Sequence, residues 1–316
     1  MDLFTHLVFG ALMYILFLRE VTFDFLIYAL FFSILADLDI FLSPLKRIFK
    51  SNYLEHRSGS HSYFIGFALS TIIGGIYSIL THQPFFIVWI VGIVFYSIHV
   101  SLDLLNTTKI PCFYPISKKE YCFYVEKAGS SFTLFTSWIF MIILLIGYNN
   151  SLDIDLFFLI INIYTYFTVG YYILRFLTKV WVNSHLTENQ KYFPGIFPFF
   201  FYIFEKEMVN NNLSLRIERK SHISRTKLIY KNSSTLTSQE MDLFNKGMKL
   251  CMQNYYFAKW TVLPIFFRND GVFTMKFFFI EPMVHSRALY IQFNFDVNSE
   301  EILSYKQGYG RFNITP

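Results

Sequence analysis

A series of long apolar runs, confined to the first 180 residues, limits what this chain can fold into. Six of them are long enough to cross or nearly cross a hydrocarbon core of ~30 Å, which takes about 17–25 residues. They fall at roughly 3–18, 23–42, 62–80, 85–106, 132–148 and 156–178. Met1-Asp2-Leu3 offers no basic region ahead of the first run, and no small-residue cleavage site follows it. That run therefore reads as a span and not as a signal peptide. Only ten of the 27 Lys and Arg residues precede residue 178, and polar residues return at ordinary density from about 180 onward. Charged residues make up 16% of the chain, against roughly 25% in soluble domains. This composition excludes a disordered chain and a coiled coil. The expected architecture is an α-helical polytopic membrane bundle of about six spans over residues 1–180. A soluble, cytoplasmic α+β domain is expected to follow over residues 181–316.

Loop charge gives an expected orientation. Lys46, Arg47, Lys50 and Arg57 lie between runs two and three, and Lys109, Lys118, Lys119 and Lys127 between runs four and five. The opposite side has only Arg19. Basic residues accumulate in cytoplasmic loops, so both termini are expected in the cytoplasm, with the protein a multi-pass component of the inner membrane. The net charge of +5 is too mild to suggest nucleic acid as a partner. Three scattered cysteines, Cys112, Cys122 and Cys251, exclude a disulfide framework and a Cys-based zinc ribbon.

In the second half, residues 213–230 alternate apolar and polar side chains, as half-buried strands do. Thr237 and Glu240 have the spacing of a capping box ahead of a helix reaching about Met252. Residues 272–280 and 287–295 read as further strands, and Pro194-Gly195 and Pro198 as a break between the two halves. Arg216, Arg219, Lys220, Arg225, Lys227 and Lys231 form a basic strand pair, read as a solvated sheet face, with contact to anionic headgroups as the alternative.

Against so few charges in the first half, seven ionisable residues stand out: His6, Asp37, Asp39, His56, His61, His99 and Asp103. Such groups at membrane depth are costly unless paired, wetted or bound to metal. With the expected orientation, all seven fall at the cytoplasmic end of their elements, and none was used to derive it. His99 and Asp103 are four apart, hence on one helical face. His56 and His61 bracket a short loop in which Gly59 permits a tight turn. Asp37 and Asp39 are two apart and meet one site only if the helix ends or distorts there. Four His and three Asp suit Zn²⁺, Mn²⁺ or Fe²⁺ better than Ca²⁺.

The order of these residues resembles a known family. Thr5-His6 is followed by Ala36-Asp37-Leu38-Asp39, then by residues 56–62, which run His-Arg-Ser-Gly-Ser-His-Ser. His99 through Asp103 to Asn106 comes next, then Tyr114-Pro115-Ile116-Ser117-Lys118-Lys119. Over about residues 1–130 this is similar to inner-membrane metal-dependent hydrolases related to the LexA-regulated membrane-bound hydrolases. The chain departs from that pattern at Ala36, where proline is usual, at Ser58-Gly59-Ser60 within the His loop, and at Ser130-Ser131-Phe132.

The resemblance implies metal-assisted hydrolysis, with Zn or Mn as cofactor. Asp37 or Asp39 would be the catalytic proton acceptor, and all seven residues would be candidate metal ligands. Arg57, Lys118 and Lys119 would attract an anionic group. The ligands' depth suggests membrane lipids as partners and a lipid-borne phosphoester as substrate. The alternative is a non-catalytic metal-binding membrane scaffold or sensor. Transport is disfavoured, because the polar residues cluster at one membrane face and do not line a path.

Overall fold

The computed structural model describes residues 3–18, 23–45, 56–149, 154–222, 225–253 and 255–312. They divide into two compact units, residues 1–174 and 175–316. Of the basic residues behind the expected orientation, Arg19, Lys46, Arg47 and Lys50 lie outside the described residues.

The first unit is helical. Its helices are α1 (Leu3–Leu18), α2 (Phe23–Ile34), α3 (Tyr63–Thr81), α4 (Phe85–Leu104), α5 (Ser131–Asn149) and the first part of α6 (Ile154–Asn183), which continues past residue 174. A tight 3-10 segment, Asp37–Leu45, follows α2. Among the described residues, three helical stretches are long and apolar enough to cross a membrane: Tyr63–Thr81, Phe85–Leu104 and Asp155–Asn183. Leu3–Phe17, Asp24–Ile34 and Ser131–Ile143 are apolar but shorter. The structure thus supplies three full-length candidates where six spans were expected. At 1.5 Å per residue, the 16 residues of α1 reach only ~24 Å. Helix α2 stops at Ile34, short of residue 42, because the chain tightens into the 3-10 turn that carries Asp37 and Asp39.

Helix α4 packs against α3, α2 and α1, and α1 also packs on α2 and α5. Small residues permit these close approaches. Gly66, Ser70 and Gly74 form a buried stripe along α3. A Cβ on Gly92 of α4 would come 3.0 Å from Ser70 Oγ, and one on Gly10 of α1 would come 2.2 Å from Ser33 Oγ. Helices associate this way in lipid, where van der Waals fit replaces hydrophobic drive. The outer face of α3 stays apolar and exposed at Ile72, Ile76, Ile79 and Leu80, a surface that suits a lipid solvent.

The second unit holds two antiparallel four-stranded meanders. Strands β1 (Gln190–Pro194), β2 (Phe200–Val209), β3 (Asn212–Ser221) and β4 (Lys227–Thr235) form the first. Strands β5 (Val262–Asn269), β6 (Val272–Phe279), β7 (Arg287–Asp296) and β8 (Ile302–Arg311) form the second. Between them run α7 (Ser238–Gln253) and the short α8 (Tyr255–Ala258). The expected capping box is present. Thr237 N donates to Glu240 Oε2 at 2.8 Å, and Glu240 N donates to Thr237 Oγ1 at 3.2 Å. Helix α7 buries Leu243, Phe244, Gly247 and Cys251 on one face, and Phe244 packs on Phe266 and Phe277. The Pro194-Gly195 break lies inside this unit, not between the halves. It turns β1 into β2, and Gly195 N donates to Phe200 O at 3.0 Å. A Cβ on Gly195 would stand 2.3 Å from that oxygen.

Candidate metal centre

Three elements of the helical unit bring four ligand-bearing residues together. The last turns of α4 supply His99 and Asp103, the 3-10 segment supplies Asp37, and the loop before α3 supplies His61. One ligand atom from each lies within 4.8 Å of all the others. His61 Nε2 is 3.1 Å from Asp103 Oδ2 and 3.3 Å from Asp37 Oδ1. His99 Nε2 is 3.4 Å from His61 Nε2 and 3.8 Å from both Asp37 Oδ1 and Asp103 Oδ2. Helix α1 adds His6, whose ring stacks on His99 at 3.8 Å between centroids. Its Nε2 lies 3.4 Å from Asp103 Oδ1 and 4.0 Å from Asp37 Oδ2.

Local backbone geometry separates the two aspartates. In a 3-10 turn, residues two apart point to different sides. Asp37 joins the group, while Asp39 turns to the His loop. Asp39 accepts from His56 Nδ1 at 2.6 Å, from Arg57 N at 3.0 Å and from Ser60 Oγ. Its Oδ2 also lies 3.4 Å from His61 Nδ1. Arg57 takes the left-handed conformation, with φ of 60°, which directs its N–H at Asp39. The loop closes where His61 N donates to Ser58 O at 3.0 Å. Ser62 then caps α3 by accepting from Phe64 N at 3.2 Å. Tyr96 of α4 pins the loop from below by donating its hydroxyl to Ser60 O. Gly66 leaves room for that ring, since a Cβ there would stand 2.2 Å from Tyr96 Cδ1.

The orientation of His99 is equally determined. Its Nδ1 lies 2.6 Å from Ser33 O, and a carbonyl only accepts, so Nδ1 carries the proton. The Nε2 of the neutral ring then presents its lone pair to the group. Ring orientation through the distal nitrogen is how ligating histidines are commonly held. At His61, burial acts to lower the imidazole's pKa. Hydrogen bonds with Asp103, Asp37 and Asp39 outweigh it and push the value up to about 10. A proton and a divalent cation compete for such a nitrogen.

The donor set fits a divalent cation. Two imidazoles and two carboxylates from three elements converge in a buried space, a combination that suits zinc or manganese. His6 Nδ1 is buried without a hydrogen-bond partner among the described residues, and the buried Asp37 Oδ1 faces His61 Nε2 at 3.3 Å and His99 Nε2 at 3.8 Å. Two carboxylates gathered side by side in a buried space repel each other, and a cation between them offsets that cost.

Of the seven residues singled out in the sequence, Asp37, His61, His99 and Asp103 form the inner group, and His6 adjoins it. Asp39 and His56 stand one step outward, and His56 is about one-third exposed. Arg57 Nε lies 3.8 Å from Asp103 Oδ2, and its Nη1 donates to Thr108 Oγ1 at 3.3 Å. Lys118 and Lys119 are exposed. Three supporting residues were not legible beforehand. Tyr96 was one aromatic among many, and Ser33 and Gly10 carry no local motif. The one available signal was that Tyr96 lies three residues before His99, on the same side of α4.

A family model described as "YdjM inner membrane protein" matches residues 1–180, which include every one of these side chains. The chain belongs to that family. Membership and the apolar helices together make it an inner-membrane protein. The expected resemblance is thereby met at the level of an inner-membrane family. Comparison with curated proteins and with solved structures gave no match.

Proposed function

We propose that the helical unit is a metal-dependent hydrolase acting on a lipid-borne phosphoester at the cytoplasmic face of the membrane. The observation that carries this reading is the convergence of Asp37, His61, His99 and Asp103 within 4.8 Å, with His6 stacked beside them. A zinc or manganese ion bound there would acidify a coordinated water toward a pKa of ~7 and polarise the ester's phosphoryl oxygen. The protein's own groups do the rest. Asp37 Oδ2, toward His6, is the proton acceptor we favour. Asp39 holds His61 in place and takes no proton itself. Arg57 faces the group from the loop and neutralises an anionic substrate oxygen. The cytoplasmic assignment rests on the eight basic loop residues and on the depth of the site at one end of α4.

A second reading, a closed structural site in a scaffold or sensor, is favoured by the count of four protein donors. Structural zinc is typically bound by four protein ligands, whereas a catalytic ion keeps an open position. X-ray absorption on the metal-loaded protein separates the two. The direct test is hydrolysis of a phospholipid phosphoester by protein loaded with Zn²⁺ or Mn²⁺ in detergent. Activity that disappears in His61→Ala supports the proposal. Equal activity in that variant removes the site from consideration.

A further inference from the structure

An open cavity of about 560 Å³ lies in the helical unit along the same turns of α4 that carry His99 and Asp103, within the usual size range of small-ligand sites. Its wall includes Phe9 and Met13 of α1, Ile98 and Leu102 of α4, and Cys112 and Tyr121 of the following loop. The lining is almost wholly apolar. Two larger-scale facts distinguish it from the other apolar hollows of the unit, at Ile139–Ile163 and at Phe4–Trp138.

The first is continuity with the site. On α4, Ile98 and Leu102 each immediately precede a candidate ligand, His99 and Asp103, so groove and site occupy adjacent faces of the same two turns. On α1, His6, Phe9 and Met13 follow one another at i, i+3 and i+7 along one side. A molecule lying in the groove therefore runs along the same two turns of α4 that carry His99 and Asp103. The second is a cation at the rim. Lys119 is exposed, and its Nζ sits 5.5 Å from the centroid of the Tyr121 ring. Tyr121 in turn packs edge-on against Phe113, which packs on Tyr63, another wall residue. An apolar trough along a helix apolar enough to span the membrane, with a lysine near its wall, is complementary to an anionic amphiphile. A soluble phosphoester would leave it unfilled.

We infer that this groove seats one acyl chain of an anionic membrane phospholipid, with the headgroup at the Lys119 rim. The inference rests on the proposed activity for its choice of a phosphoester lipid, and its test reads lipid position independently of turnover. Full-length protein is reconstituted in phosphatidylethanolamine vesicles containing phosphatidylglycerol with a diazirine midway along one acyl chain. After irradiation, mass spectrometry maps the labelled residues. Labelling should concentrate on Phe9, Met13, Ile98 and Leu102. The expected enrichment is about tenfold over the outward α3 residues Ile72, Ile76 and Ile79, although those are more than half exposed. Ile98→Trp, which fills the trough, should abolish the enrichment, while Ile98→Val keeps it. Lys119→Glu should lower labelling by the phosphatidylglycerol probe but not by a phosphatidylcholine probe. Uniform labelling of groove and outer α3 face, with wild-type metal content, overturns the inference even if lipid is hydrolysed. Groove labelling without any hydrolysis upholds the seat and counts against the proposed activity instead.

Discussion

Two glutamates of the β unit and the aspartate–histidine group of the helical unit bury charge in opposite ways. In the β unit Glu281 and Glu240 are each answered by specific partners. Glu281 is almost inaccessible, yet it accepts from Thr261 N at 2.7 Å and Thr261 Oγ1 at 2.8 Å, with Lys191 Nζ at 3.6 Å. Glu240 takes Arg268 in a two-point contact and caps α7 as well. Such arrangements are complete and hold strands and helix ends together. In the helical unit, Asp37 and Asp103 are brought close to each other; Asp103 accepts from Asn106 Nδ2 at 2.8 Å, and histidines 3.1–3.8 Å away fill most of the remaining space around the pair. Two like charges gathered at the ends of apolar helices do not stabilise a fold by themselves. The contrast is that Glu281 and Glu240 close on the protein, whereas the helical unit's aspartate–histidine group has the donors to take a cation.

Predictions follow from that contrast, the largest first. Asp37→Asn removes a member of the inner group and should lower activity and metal affinity by at least about 100-fold, since even partners of ligands commonly cost 10–100-fold. Isothermal titration with Zn²⁺ or Mn²⁺ measures it, and near-normal affinity would place Asp37 outside the centre. Asp39→Asn should cost about 10–100-fold and leave the bound ion in place, because Asp39 positions His61 and the His56 loop. Loss of the ion in that variant would mean that Asp39 is itself a ligand.

Gly66→Ala tests the support beneath the loop. Its methyl group meets the Tyr96 ring, and overpacking of this kind costs about 1–3 kcal/mol. Thermal unfolding in detergent should show the loss together with weaker metal binding. The corresponding change in the β unit, Glu240→Gln, should cost about 1 kcal/mol, reduced by the exposure of Arg268. It should leave metal binding unchanged, and any effect there would break the separation drawn between the units.

The smallest effect is a pH slope. Burial holds Glu281 above the ordinary carboxyl range despite Lys191 and the Thr261 hydrogen bonds. The folded unit therefore binds this proton more tightly than the unfolded chain does. Its stabilising contribution is full below the unfolded pKa and is lost as pH rises through the folded value. Hydrogen exchange of the β strands between about pH 4 and 7 should show a shallower decline in Glu281→Gln than in the wild type. Identical slopes would show that Glu281 does not set this dependence.

Much of this was legible in the sequence, for a physical reason. Hydrophobic runs and a sparse set of charges mark membrane helices strongly, and His99 with Asp103 follows from helical spacing alone. The capping box at Thr237 and Glu240 was equally readable. Span lengths were not, because the apolar run over 23–42 conceals a change from α to 3-10 geometry after Ile34. Nor was the division of labour between Asp37 and Asp39, which depends on that same turn. Tyr96, Ser33 and Gly10 act through contacts between elements distant in sequence, which no local pattern records.

The central claim is that the four converging side chains hold a metal ion. Elemental analysis of the purified full-length protein, compared with a His99→Ala/Asp103→Ala double variant, tests it most directly. The account predicts a stoichiometric divalent metal, zinc or manganese, in the wild type and its loss in the double variant while the protein stays folded in detergent. Equal metal content in the two proteins would contradict it.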